Sequence, residues 1–479
     1  MYSHWPLFWF PLDEGKNKVS QIKERIIHLI EKGEIGPGTQ VPPVTLLREK
    51  LQAAHGTVEQ AYASLKKQMY LVGVAGKGTF VAGDKMRKQL PDPGWPAHSP
   101  FSYCTNQVVF TPAEAAGYIP YMCAGFDVPD VAQVPSKKFM NYYESGITDY
   151  SKSNRYDSRY EASMREGIQY LMLRRDIAAE PDHALIIPHR HALYMVVITL
   201  GLRGKCVVMA SPADTRVQSV FSAAGAQLLF TGVDKRGMMT DQLEKFCMSG
   251  ERDIQVVFVR SSGEFPNRAV LSEDRRRKLL DLALQYNFVI VAVDEDHEFW
   301  YKKALAPLVY RQHKGHIIHI SPVSKLTAQF RMNELVIANR DFIKALTLSV
   351  YAHNIHYDPL ELTAIFRLAR TGVLDDGVRR VMSHYRQKVN AIEGVFQLHL
   401  SQLAEITLPK AGFSLWITFR KSVESNVLSG LLEKNGFSRR AFWGDYSNQL
   451  LNGLHLSFGS QVLESYDGLF LGMKEVLRS

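Results

Sequence analysis

The sequence predicts an α/β protein in two parts: a small helical head ending in a β-hairpin, and a large body with a mostly parallel sheet. Three observations predict it. The chain has 479 residues, more than one compact core accommodates. Its first eighty or so residues run helix, short helix, turn, helix, hairpin. From about Ala113 onward, helix-like and strand-like runs alternate, which implies parallel strands with helices on both faces.

Composition narrows the function classes. Hydrophobic residues make up 46% and charged residues 22%, ordinary for a soluble globular protein. No apolar run approaches the roughly 20 residues of a membrane span. Residues 1–10 are aromatic and apolar, but they lack a basic leader and are interrupted by Pro6, with Pro11 just after. They predict an arm packed on another part of the protein, not a signal peptide. Cys104, Cys123, Cys206 and Cys247 are far apart with no metal-ligand spacing, which predicts reduced thiols in a cytoplasmic protein. A formal net charge of +9 permits a polyanionic partner.

In the head, Val19, Ile22, Ile26, Ile27, Leu29 and Ile30 form one helical face, and Gly33 stops that helix. A Gly/Pro-rich turn, residues 35–43, leads to a short helix over Val44 to Leu51. A third helix is expected from Thr57 to Gln68, with Thr57 as its cap and Val58, Ala61, Tyr62 and Leu65 facing inward. Residues 71–81 read as two short strands around a Gly-rich turn. This is the order of a winged helix-turn-helix, whose third helix enters the major groove. The segment resembles the GntR family through Glu34-Ile35-Gly36-Pro37-Gly38-Thr39-Gln40-Val41-Pro42, Thr57-Val58 with Ala61-Tyr62 and Leu65, and Gly76-Lys77-Gly78-Thr79-Phe80-Val81. The resemblance implies double-stranded DNA as partner, met by Arg48, His55, Thr57, Gln60, Lys66 and Lys77. Arginines usual at the DNA-facing places are replaced here, by Thr45, Ala54-His55-Gly56-Thr57 and Gln60. Residues 1–83 hold ten basic against seven acidic side chains, so weaker binding or altered specificity is expected. A small helical domain that touches only protein is the alternative.

Residues 84–112 contain Pro91, Pro93, Pro96 and Pro100 and no periodicity, an extended connector between a domain at 1–83 and one at 113–479. In the larger part, strands are expected at 184–187, 207–209, 228–230, 256–259, 288–293 and 317–320. A smaller α+β piece follows from Tyr357, with strands at 413–418 and 454–458.

The chemistry concentrates at two strand ends. The run 287–293 ends in Asp294, and the run 316–320 is followed by Ser324 and Lys325. A strand-end lysine and a strand-end acid are what a pyridoxal phosphate site needs: one for the Schiff base, the other to keep the pyridine nitrogen protonated. The run of elements resembles the fold-type I aminotransferases. Joined to a GntR-like head, it resembles the MocR group of regulators. The residues concerned are Asp294, Glu298-Phe299-Trp300-Tyr301, Ser324-Lys325, Phe330-Arg331, Lys410-Ala411-Gly412-Phe413 and Leu456-Ser457-Phe458-Gly459. The resemblance implies a homodimeric regulator that senses pyridoxal 5'-phosphate, or a small amine or amino acid. Lys325 would bear the cofactor, Asp294 (with Asp296 as fallback) would meet its ring nitrogen, and Arg331 its phosphate.

Several places depart from that pattern. The phosphate cup reads Pro188-His189-Arg190-His191, and proline has no N–H to give; His189 and Arg190 are the candidate substitutes. Pro322 stands where a second hydroxyl is usual, Glu295 where a tyrosine is, and Ser261-Ser262-Gly263-Glu264 where Pro-Ser-His-Gln is. His455 lies where catalysis needs a carboxylate-binding arginine. A regulator whose body only dimerises without cofactor is therefore one alternative, and an active aminotransferase another; no catalytic role is expected for the body.

Overall fold

In the computed structural model the described residues are 4–15, 17–67, 70–74, 76–82, 128–152, 158–177, 179–211, 213–250, 253–305, 307–308, 315–327, 332–421, 425–437 and 453–478. The connector expected at 84–112, Arg331, Cys104 and Cys123 lie outside them. The chain divides into two compact units, Met1–Tyr103 and Cys104–Ser479.

The first unit packs helices α1 (Lys18–Glu31), α2 (Val44–Leu51) and α3 (His55–Lys67) against a hairpin of β1 (Leu71–Val74) and β2 (Gly78–Val81). The Asn17 side chain caps α1 by accepting from the Ser20 N–H, which satisfies one of the orphan first-turn donors. Ile22, Ile26 and Leu29, spaced to share one face, meet Leu47, Leu51, Val58, Ala61, Tyr62, Leu65, Leu71 and Val81 in one core. Burying each large apolar side chain there contributes about 1.5–3 kcal/mol.

The third helix begins at His55, two residues before the sequence suggests. Thr57 is not its cap: its N–H already donates to the Ala54 carbonyl at 3.1 Å, so it sits inside the first turn and half-buried. The aromatic arm packs on its own unit. Phe8 is buried in the core, and the His4 and Trp5 rings bond the Gln40 carbonyl at 2.7 and 3.1 Å. The Gln40 amide in turn donates to the Lys77 carbonyl at the hairpin tip, 2.8 Å away. Gly78 permits this, because a Cβ there would lie 2.7 Å from Gln40 Nε2.

The second unit is built on a seven-stranded sheet of β3 (Ala184–Pro188), β4 (Cys206–Ala210), β5 (Gln227–Thr231), β8 (Ile254–Arg260), β9 (Val289–Val293), β10 (Ile317–Pro322) and β11 (Asn333–Ile337), ordered β3-β11-β10-β9-β8-β4-β5. A two-stranded ribbon, β6 (Val233–Asp234) and β7 (Gly237–Met238), lies outside it. The pairs β10–β9, β9–β8, β8–β4 and β4–β5 are parallel; β11 runs antiparallel to both β10 and β3. Ile290 and Ala292 of β9 enter one hydrophobic cluster, Val291 and Val293 the other. Both faces are covered, which is why these strands read as continuous apolar runs.

Helices in chain order are α4 (Ser136–Lys152), α5 (Ser158–Leu173), α6 (His189–Leu200), α7 (Thr215–Ala223), α8 (Thr240–Ser249), α9 (Glu273–Tyr286), α10 (Arg340–Ala352) and α11 (Pro359–Arg370). The smaller C-terminal piece adds α12 (Val373–His399), α13 (Ser425–Lys434) and α14 (Leu463–Arg478) to an antiparallel sheet of β12 (Ala404–Thr407), β13 (Ser414–Phe419) and β14 (Gly453–Ser457).

Tyr385 of α12 ties this piece together. Its hydroxyl donates to the Gly459 carbonyl at 2.5 Å and accepts from the Asp130 N–H at 2.8 Å, while its ring meets Phe413 edge-on at 4.7 Å. Tyr385→Phe leaves both backbone groups unsatisfied and should lower the unfolding free energy by about 1–3 kcal/mol, read from the urea midpoint. An unchanged midpoint contradicts this role.

Candidate ligand site and nucleic-acid interface

The parallel strands β4, β8, β9 and β10 end at one sheet edge, where open α/β sheets hold their ligands. Asp294 follows β9 and Lys325 follows β10, and the two strands pair with Ile320 opposite Val293. The Asp294 N–H donates to the Ile320 carbonyl at 2.8 Å, which fixes the start of the acidic loop against the lysine-bearing one.

Lys325 is buried, 4% exposed. Its ammonium contacts Asp296 Oδ1 and stands 5.7 Å from the centre of the Phe413 ring. Asp296, expected above only as the fallback for the ring nitrogen, is thus the acid that meets the lysine. Asp294 is also buried; Ser262 bonds its carboxyl, and its Oδ1 has no hydrogen-bond partner among the described residues. Burial, and then the neighbouring Asp296 charge, push its carboxyl up to about 6. An orphaned buried carboxylate oxygen suits a charged N–H donor, as the ring nitrogen of a pyridoxal cofactor would supply.

Glu298 organises the turn that carries the lysine. Its carboxylate accepts from Ser324 Oγ at 2.9 and 3.0 Å and from the Lys325 N–H at 2.8 Å, and it lies 3.8 Å from Arg174. Ser324 thus serves the loop from inside. Arg175 secures the preceding residues: it donates to Ser321 Oγ and the Val323 carbonyl at 3.0 Å each, to the Pro322 carbonyl, and to His297 Nε2 at 3.0 Å. Burial brings this guanidinium down to about 10. Arg175 carried no signal in the sequence, because it follows an ordinary amphipathic helix.

The cup end is different. Pro188 precedes α6 as its N-cap, the His189 N–H donates to the Met332 carbonyl at 2.9 Å, and the His189 ring contacts the buried Glu334 carboxylate. Those contacts occupy His189, and Glu334 adds an anion where a phosphate would come. Nothing is described of the Arg190 side chain. Among the described residues the ring end of the cofactor fits; its phosphate end finds no matching cup.

Arg268 and Arg260 carried no signal in the sequence. Arg268 donates to Asp296 Oδ2 at 2.8 Å and to the Ala411 carbonyl at 2.5 Å. Glu264 is buried, accepts from the Arg260 N–H at 3.2 Å, and is pushed up to about 7 by desolvation. Arg260 links Asp214 and Glu295 at 3.1 and 2.9 Å. His455 holds the Pro266 carbonyl at 2.8 Å and packs on Phe265 with ring centres 4.9 Å apart.

On the first unit, Arg48, His55, Gln60, Lys66 and Lys77 are exposed. The exposed side of α3 therefore offers polar groups, as a groove-facing helix must. It also carries Glu59, 3.3 Å from His55, an anion where phosphates would approach. The Lys66 ammonium lies over β1, 3.4 Å from where a Cβ on Gly73 would be.

Comparison with known proteins agrees with both halves. Residues 18–81 match the model of the bacterial regulatory proteins, gntR family. The chain is 23% identical to the probable rhizopine catabolism regulatory protein MocR of Rhizobium meliloti, over 85% of this chain and 83% of that one. It is 21% identical to aromatic-amino-acid aminotransferase 1 of Thermococcus litoralis over 47% of this chain, a match that spans only 55% of that enzyme. The solved kynurenine aminotransferase of Pyrococcus horikoshii superposes with a TM-score of 0.68 at 17% identity, covering 78% of this chain and 96% of that one. The chain thus carries a GntR-type helix-turn-helix ahead of a fold-type I aminotransferase-like domain. That is the layout of the MocR-type transcriptional regulators, its homologues over most of its length. No helix among the described residues is long and apolar enough to cross a membrane.

The two raised carboxyls set a pH dependence. A carboxyl whose folded value lies above the unfolded one stabilises the fold fully at low pH, and that contribution is lost as pH rises through the folded value. Asp294 and Glu264 should each remove up to about 3 kcal/mol of unfolding free energy as pH climbs from about 4 to 7. The double variant Asp294→Asn, Glu264→Gln should flatten the profile in that window. An unchanged slope in urea titrations at stepped pH contradicts the assignment.

Proposed function

We propose that the protein is a homodimeric, cytoplasmic transcription regulator whose second domain senses pyridoxal 5'-phosphate or an amino compound, and is not itself a transaminase. The observation that carries the sensing half is the buried Asp294 Oδ1, without a hydrogen-bond partner among the described residues, just past the strand next to the one that delivers the buried Lys325. Bound there, the cofactor would supply an electrophilic carbonyl and an electron-withdrawing ring. Lys325 would hold it covalently, Asp294 would keep its ring nitrogen charged, and Glu298 with Arg175 would fix the lysine loop. Arg331 and Arg190 are the proposed phosphate ligands; with His189 engaged by Glu334, attachment is expected to be weak.

The regulatory reading is favoured over catalysis by His455. It stands where a transaminase needs a cation for the substrate carboxylate, and its ring nitrogen is committed to the Pro266 carbonyl. An absorbance titration tests the sensor. Added cofactor should produce a visible band in the wild type that is absent in Lys325→Ala, and no amino group should pass to a keto acid. A protein that stays colourless at saturating cofactor supports a domain that only pairs. Transfer to a keto acid supports an enzyme.

For DNA, Arg48, His55, Thr57, Gln60, Lys66 and Lys77 are the proposed contacts. Lys77→Ala should weaken binding to the upstream region of the protein's own gene at every sequence tested and lower the salt slope of log K by about 1. An unchanged slope removes Lys77 from the interface. Light scattering should give two chains per particle.

A further inference from the structure

We propose that Arg268 is the specificity-determining residue of the ligand site, and that the site takes an amine bearing a carboxylate, with Asp296 as the internal carboxylate that occupies Arg268 until the ligand arrives. The inference rests on the reading of Lys325 and Asp294 above.

Arg268 is 5% exposed, and its backbone is left-handed at φ 59°. A non-glycine residue adopts that conformation only where its surroundings impose it, and such strain gathers at functional sites. The surroundings here do impose it. The Arg268 N–H donates to the Glu264 carbonyl at 2.8 Å, and Gly263 at φ 145° leaves room where a Cβ would come within 3.3 Å of the Arg268 carbonyl oxygen.

The result is a guanidinium carried into the lysine site. There it bonds Asp296 Oδ2 while Lys325 contacts Asp296 Oδ1, so one carboxylate bridges both cations. Gly412, at φ 84°, keeps the space clear: a Cβ would stand 2.3 Å from Asp296 Oδ2 and 2.7 Å from Arg268 Nη2. Two backbone segments are thus shaped around this one contact.

A buried ion pair is weak evidence for stability, since desolvation offsets its attraction. A strained arginine beside a reactive amine is better explained by a ligand it must recognise. The planar guanidinium fork matches a carboxylate in particular. Arg268 thereby offers a carboxylate-recognising cation for binding, at a place other than the one held by His455, which bonds the Pro266 carbonyl. A ligand with both groups reproduces the resident arrangement: its carboxylate replaces Asp296 at Arg268, and its ammonium replaces Lys325 at Asp296. An amine without a carboxylate leaves Asp296 on Arg268 and gains little.

Thermal shift on the full chain tests this, with and without pyridoxal phosphate. The probes are L-alanine, β-alanine, 4-aminobutanoate and L-glutamate, against ethylamine and butylamine. At least one acid should raise Tm where its size-matched amine does not. Arg268→Gln should need roughly 10-fold or more of that acid for the same shift, and Arg268→Lys should recover part of the loss. Equal response to the plain amines, an unaltered response in Arg268→Gln, or no response to any acid overturns the proposal. The comparison of acids with amines in the wild type stands even if a variant fails to fold. The absorbance of the same samples separates the two readings. A missing visible band counts against Lys325 as the cofactor lysine. A band with no acid preference counts against Arg268.

Discussion

A lysine buried at the end of a strand must meet an anion, and the second domain is arranged around that requirement. Lys325 is almost wholly removed from solvent. Leaving its charge unpaired there would cost several kcal/mol. Asp296 meets the ammonium, Arg268 meets Asp296, and Glu298 receives the N–H of the lysine's own residue. Asp296 and Glu298 come from the loop after β9 and Arg268 from the loop after β8, both at the carboxyl edge of the sheet. Parallel pairing of β9 with β10 brings those loops together, and Arg175 holds the lysine loop in register. The same charge network that stabilises the lysine also gives a ligand something specific to exchange with.

Much of the fold was legible because both faces of the sheet are covered. The buried parallel strands leave almost wholly apolar runs, broken in β10 by His319, and each of the six expected strands falls on a strand of the sheet. The strand β11 escaped notice: Asn333 and Glu334 interrupt it, leaving only Leu335-Val336-Ile337 as an apolar signal. The head was legible through glycines and prolines at fixed places, since Gly78 and the Pro42-Pro43 turn answer to backbone constraints that sequence expresses directly. The start of α3 was misjudged because threonine is a good cap in general, whereas here the Ala54 carbonyl already holds its amide.

The site was legible only in part. Lys325 and Asp294 stand at strand ends, where position alone suggests chemistry. Asp296 was visible as an alternative but not as the lysine's partner, since which of two acids in one short loop faces inward depends on the turn between them. Arg268 and Arg175 were hidden for a different reason. Each reaches the site across a long sequence separation, through a backbone turn or a helix end, and nothing local in their surroundings sets them apart from surface arginines. The altered cup at Pro188-His189 was evident as a departure, but that His189 would turn to Glu334 depends on the antiparallel strand that was missed.

Ahead of an aminotransferase-like domain with a buried strand-end lysine stands a GntR-type helix-turn-helix. Borohydride reduction of the protein with pyridoxal phosphate, followed by peptide mass analysis, tests the role proposed for that lysine most directly. The account predicts one pyridoxyl group per chain, on the peptide that contains Lys325, and none there in Lys325→Ala. Label spread over exposed lysines, with Lys325 unmodified, would contradict it.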